Sequence, residues 1–162
     1  MSRPLLPLLA PALFALCLAA AAPLSAADPA RPNILLVLAD NWGWPHAGAL
    51  GDPVARTPVF DRLAREGVVF EHAFCPVPSC SPTRSSLLTG RAAHQLADAA
   101  SLWSRFDRSL VLFTDLLARG GYEVGFTGKG WSPGNFRDSG WPTNPVGPEH
   151  ADLATFLRAR DR

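Results

Sequence analysis

Residues 33–40, NILLVLAD, restrict the fold more than any other stretch of this chain. Six consecutive apolar residues of strand length end in a carboxylate, which predicts a parallel strand buried on both faces with Asp40 at its carboxyl end. In open α/β sheets that end is where ligands bind. The segments that follow alternate in kind. TPVFDRLAREG, residues 57–67, predicts a helix with Thr57 as N-cap, Pro58 at its first position, Phe60 and Leu63 on one apolar face and Gly67 as its stop. VVFEHAF, residues 68–74, reads as a strand. Residues 80–90 predict a helix with Pro82 in its first turn, Leu87 and Leu88 facing inward and Gly90 as terminator. A further helix is expected from Leu110 to Arg119, capped by Ser109 and stopped by Gly120-Gly121. YEVGFTGKG, residues 122–130, predicts a strand with a glycine-rich exit, and a last helix is expected over about residues 149–160. Strands alternating with helices imply an α/β layered fold.

Composition narrows the function classes. A chain of 162 residues with 48% hydrophobic and 18% charged residues and a formal net charge of +1 has no polyelectrolyte signature, so nucleic acid is not an expected partner. The first 27 residues differ from the rest. Arg3 precedes an acid-free apolar run, and PLSAAD follows it, the pattern of a secretory signal peptide with Ser25 and Ala27 at the −3 and −1 positions of cleavage. Pro7 and Pro11 interrupt the run, which barely reaches the roughly 20 apolar residues of a spanning helix. A stable membrane anchor is therefore not expected, nor is a lipoprotein built on Cys17, which follows the bulky Leu16. Residues 28–162 then form the exported part, secreted or periplasmic.

Export leaves Cys75 and Cys80 where a disulfide is chemically allowed. A zinc site of His72, Cys75, Cys80 and His94 is another reading, although no standard ligand spacing repeats. A third looks to the place of Cys80. It opens a helix, where unpaired N–H groups and the positive dipole end favour an oxyanion. Arg84 lies one turn on and can fix that anion through paired hydrogen bonds. A tyrosine-phosphatase loop is excluded, because it needs five residues between Cys and Arg where this chain has three, one of them Pro82.

The residues Cys80-Ser81-Pro82-Thr83-Arg84, followed by Leu87-Leu88-Thr89-Gly90, resemble the signature of the type I, formylglycine-dependent sulfatases, Cys-x-Pro-x-Arg closed by Thr-Gly. PNILLVLADNWG upstream, TPVFDRLAREGVVFEHAF between and GYEVGFTGKG downstream fall in the order the family shows. The resemblance spans about residues 32–131, and SCSPTRSSLLTG is most similar to sulfohydrolases of the heparan N-sulfatase kind.

This resemblance implies an alkaline-phosphatase-like α/β fold, of which the chain would be an incomplete N-terminal portion inactive alone, since the family is several times longer. It implies that a formylglycine-generating enzyme oxidises Cys80, that one oxygen of the hydrated aldehyde attacks a sulfate ester or N-sulfate, and that the other collapses to expel sulfate. It implies a calcium ion held by Asp40, by Asn41 in the place of a second acid, and by the modified Cys80. Lys129, the chain's one lysine beside 14 arginines, matches the family's active-site lysine. The histidine usual two residues later is replaced by Trp131. A sulfated small molecule or glycan would be the substrate. A phosphomonoesterase of the same superfold and a non-catalytic sulfated-glycan binder remain alternatives. Outside the resemblance, His46, His72, His94 and His150 read as structural, and Trp42, Trp44, Trp131 and Trp141 as sugar-stacking or loop-anchoring residues. Residues 131–148, rich in Gly, Pro, Asn and Trp, read as a long loop.

Overall fold

A computed structural model describes residues 31–160. The expected signal peptide, with Cys17, Ser25 and Ala27, lies outside the described residues. The chain divides into two units at Ala39 and Asp40. In the first, residues 31–39 carry no regular secondary structure, and Ile34, Leu35, Leu36, Val37 and Leu38 are exposed.

The second unit holds four α-helices: α1, Pro58–Glu66; α2, Cys80–Thr89; α3, Phe113–Arg119; and α4, Leu153–Arg160. Short 3-10 turns at Gly48–Leu50, Ala93–Gln95, Ala97–Ala100 and Arg137–Ser139 complete it. Local punctuation set the helix ends as expected. Pro58 opens α1 and Gly67 closes it, while Gly90 ends α2 with φ 66°, a left-handed cap that glycine adopts without steric cost.

Other expectations are corrected. None of the segments 33–40, 68–74 and 122–130 forms a strand, and the α/β layering is not seen among the described residues. A strand's polar backbone is satisfied by a neighbouring strand. Here the pairing comes to two isolated parallel bridges, Arg105 with Asn135 and Phe126 with Glu149. Helix α3 begins at Phe113 rather than Leu110, because Leu112 is extended, with φ −109° and ψ 150°, and stands as its N-cap. Leu87 and Leu63 are exposed. Thr57 stands at the N-cap of α1, yet its hydroxyl donates to Asp61 Oδ1 at 2.8 Å and accepts from the Gly48 N–H at 3.0 Å.

The Gly48 bond tethers α1 to the Gly48–Leu50 turn, and the Ala49 N–H adds a second tether by donating to Asp61 Oδ1 at 2.9 Å. Gly48 permits the approach, since a Cβ there would lie 2.7 Å from Asp61 Oδ2. Upstream, Asp52 accepts from the Ala55 and Val54 N–H groups and pairs with His46 Nδ1 at 3.0 Å. The Ala55 bond leads these effects, which hold the Asp52 carboxyl at about 2.

The core lies beneath α2. Leu88, Leu96, Ala99, Phe106, Leu112, Trp131 and Trp141 are buried together, so the 131–148 loop supplies two of its largest side chains. Both indoles find acceptors: Trp131 Nε1 donates to Ser85 Oγ at 2.8 Å and Trp141 Nε1 to the Phe106 carbonyl at 2.9 Å. Trp42 and Trp44 are exposed. The inner face of α2 is made of small residues, with Ser81, Pro82, Ser85 and Ser86 buried beside Leu88. Ser85 donates to the Ser81 carbonyl at 2.9 Å. The Ser81 and Ser86 hydroxyls are buried with no hydrogen-bond partner among the described residues. Among the described residues no helix is long and apolar enough to cross a membrane.

Candidate functional site

Cys80 is the first residue of α2, preceded by Ser79 in extended conformation. The Thr83 N–H donates to the Ser79 carbonyl at 3.1 Å and the Thr83 hydroxyl to the Val77 carbonyl, folding the approach strand of backbone onto the first turn. Cys80 is half-buried, Cys75 is exposed, and neither is in a disulfide. The zinc reading is not supported: no group of three or more His, Cys, Asp or Glu side chains able to hold a metal occurs among the described residues.

Three of the residues expected at the site come together. Lys129 Nζ donates to Asp40 Oδ2 at 2.6 Å across 89 positions of sequence. Arg84, one turn into α2 from Cys80, places Nη2 3.9 Å from Asp40 Oδ1. Its Nη1 donates to the Lys129 carbonyl at 2.8 Å and the Gly130 carbonyl at 3.2 Å. The Arg84 side chain is largely buried at 12% exposure, whereas Asp40 and Lys129 are open to solvent at 42% and 37%. Arg84 is therefore enclosed, while Lys129 and Asp40 face solvent. Asn41 adopts φ 58°, the left-handed region that Asn enters more readily than most residues.

The Lys129 hydrogen bond is the largest influence on the Asp40 carboxyl. With the charges of Lys129 and Arg84 it outweighs partial burial and holds the pKa below the ordinary 3.8. A carboxylate so depressed contributes stability that is fully present above the unfolded value and fades as pH falls below it. Lys129→Met is expected to return the Asp40 pKa upward toward 3.8, read from its side-chain carboxyl 13C shift across an acid titration. An unchanged midpoint would show that the ammonium does not set it.

Two residues were not found from sequence. Ser85 receives the Trp131 indole, and Asn144 hydrogen-bonds the Trp131 backbone. Both act on the loop that carries Lys129. Neither has a local signal beyond a serine in a helix and an Asn-Pro pair in a loop.

A carboxylate between two cations, one of them borne by a helix that cysteine opens, suits a site that handles a tetrahedral oxyanion. The chain belongs to the sulfatase family, whose model matches residues 32–146. It is 38% identical to arylsulfatase A of Bos taurus over 147 residues, covering 88% of this chain and 26% of that protein. It is 36% identical to N-acetylgalactosamine-6-sulfatase of Rattus norvegicus, covering 69% and 24%, respectively. To N-sulphoglucosamine sulphohydrolase of Homo sapiens it is 44% identical over 108 residues, covering 62% and 21%. The chain thus spans about a quarter of the length of the curated relatives it matches. No solved structure matches it. Membership carries the family's alkaline-phosphatase-like α/β fold as the context in which these helices belong.

Proposed function

We propose that this chain carries the nucleophile-bearing part of an exported sulfuric ester hydrolase, acting on sulfate esters or N-sulfates of glycans or small molecules, with Cys80 converted to formylglycine. The observation that supports it is the convergence of Asp40, Arg84 and Lys129 beside the helix that Cys80 opens. A half-buried cysteine without a disulfide is a suitable substrate for oxidation by a formylglycine-generating enzyme. The aldehyde, hydrated, supplies an oxygen nucleophile for sulfur.

The side chains present divide the remaining work. An ammonium has three donors, so Lys129 keeps two for sulfuryl oxygens after bonding Asp40. Its length and mobility let it follow charge as that charge shifts between oxygens. Arg84 adds fixed positive charge, and the first turn of α2 adds the positive end of its dipole. Trp131, in the place of the family's histidine, is fully buried and has no ionisable group, so protonation of the leaving group falls to another residue.

Asp40 and Asn41 are hard oxygen donors of the kind calcium takes and would hold it from this side, with Asp40 Oδ2 exchanging its bond to Lys129 for the ion. Their three side-chain oxygens are part of the roughly six to eight that the ion takes. When bound, the ion supplies positive charge against the sulfuryl oxygens.

The test is mass spectrometry of the peptide containing Cys80, after the chain is produced together with a formylglycine-generating enzyme. The expected result is the mass loss that replaces the side-chain CH2SH by an aldehyde, absent from a Cys80→Ala control. An intact thiol under those conditions sinks the proposal.

A further inference from the structure

We propose that Asn144 is a positioning residue for this site: its amide fixes the 129–131 loop so that the Lys129 side chain reaches Asp40. The inference rests on the reading of Lys129 as a site residue and extends it to a residue no sequence signal marks.

Asn144 Oδ1 accepts from the Trp131 N–H at 2.9 Å, and Nδ2 donates to the Trp131 carbonyl at 3.1 Å. One amide therefore satisfies both polar groups of a single residue, as a neighbouring strand would. Oδ1 also accepts from the Val146 N–H at 3.2 Å, so the amide makes three of its four possible hydrogen bonds. With the two bonds from Arg84, the successive carbonyls of Lys129, Gly130 and Trp131 are all held by side chains. Arg84 holds the first two from α2, and Asn144 holds the third from a different segment.

Gly130 shows how close the fit is. A Cβ at that position would lie 2.8 Å from Asn144 Cγ, Nδ2 and Oδ1 alike. The amide occupies the space a side chain at 130 would fill, and any other residue would push the loop off its support.

Asn144 is itself anchored. The Gly147 N–H closes a turn onto the Asn144 carbonyl at 2.8 Å. The Pro145 carbonyl accepts from the buried Thr114 hydroxyl of α3 at 3.3 Å. The Phe126 N–H donates to the Pro148 carbonyl at 3.0 Å, and the His150 N–H to the Phe126 carbonyl at 2.8 Å. The post is thus tied both to a helix and to the backbone that leads into the loop. Aspartate at 144 would lose the donor to the Trp131 carbonyl and keep both acceptor roles. Alanine would lose all three bonds.

Because Lys129 is the sole lysine, labelling the full chain with 15N-lysine gives one side-chain ammonium signal. Its proton exchange with water reports directly on the bond to Asp40. Exchange in the unsubstituted chain is expected to be about two- to fivefold slower than in Asp40→Asn, the span for a half-exposed ion pair. Asn144→Ala is expected to reach the Asp40→Asn rate and Asn144→Asp to fall between, while the indole N–H signal of Trp141 confirms that each variant is folded. If Asn144→Ala does not fold, Asn144→Asp alone decides. A folded Asn144 variant with the original exchange rate overturns the proposal, as does an original rate equal to that of Asp40→Asn. The readout involves neither sulfate nor formylglycine, so an unmodified Cys80 would count against the proposed function and leave this result standing.

Discussion

Arg84→Ala is expected to lower the stability of the fold by about 2–4 kcal/mol, since it strips partners from groups in a partly buried site. The substitution leaves the Lys129 and Gly130 carbonyls without the guanidinium that serves both. Gly130 is buried, so water cannot fully replace what is lost. Asp40 also loses the nearer charge on its Oδ1 side. For a domain of this size the change corresponds to a fall in Tm of roughly 8–15 °C, measurable by circular dichroism on heating. Arg84→Lys should recover only part of it, because one ammonium does not reproduce the planar fork of a guanidinium. An Arg84→Ala protein that melts with the original would mean that this residue serves the site through its charge alone and not as a support.

Trp131→Ala should be the most damaging single change, at about 3–5 kcal/mol, by opening a cavity that the surroundings only partly fill. Trp131 is fully buried, its ring 5.0 Å from that of Phe106, and its N–H ends on Ser85 within α2. Trp131→Phe keeps most of the volume and gives up the hydrogen bond, so about 1–2 kcal/mol is expected. Urea denaturation of the two variants separates packing from polarity. Equal losses would assign the whole effect to the indole N–H. The same side chain explains why core and site are coupled: it follows Lys129 by two residues, so the packing beneath α2 also fixes the loop above it.

What the sequence made legible was local. Pro58, Gly67 and Gly90 mark helix ends because each limits its own backbone, whatever lies around it. Cys80 and Arg84 share the end of α2 because four residues make about one helical turn. The three apolar segments expected as strands form no strand among the described residues, because pairing is a property of two segments and periodicity in one cannot supply the other. The ion pair of Asp40 with Lys129 joins residues 89 positions apart. Family resemblance singled out each of them, and only the fold brought them together. Asn144 left no trace in the sequence because its role is a side chain filling a backbone's hydrogen bonds, which depends on where two loops meet. The tryptophans of the 131–148 loop were open to two readings, and burial favours anchoring over sugar stacking for Trp131 and Trp141.

The sealed hydroxyls of Ser81 and Ser86 give α2 an unusual thermodynamic standing. Neither meets a hydrogen-bond partner among the described residues, and serine is a weaker helix former than alanine. At both positions, therefore, α2 gives up some intrinsic helix stability. The burial of Leu88 in the aromatic cluster beneath the helix offsets that loss.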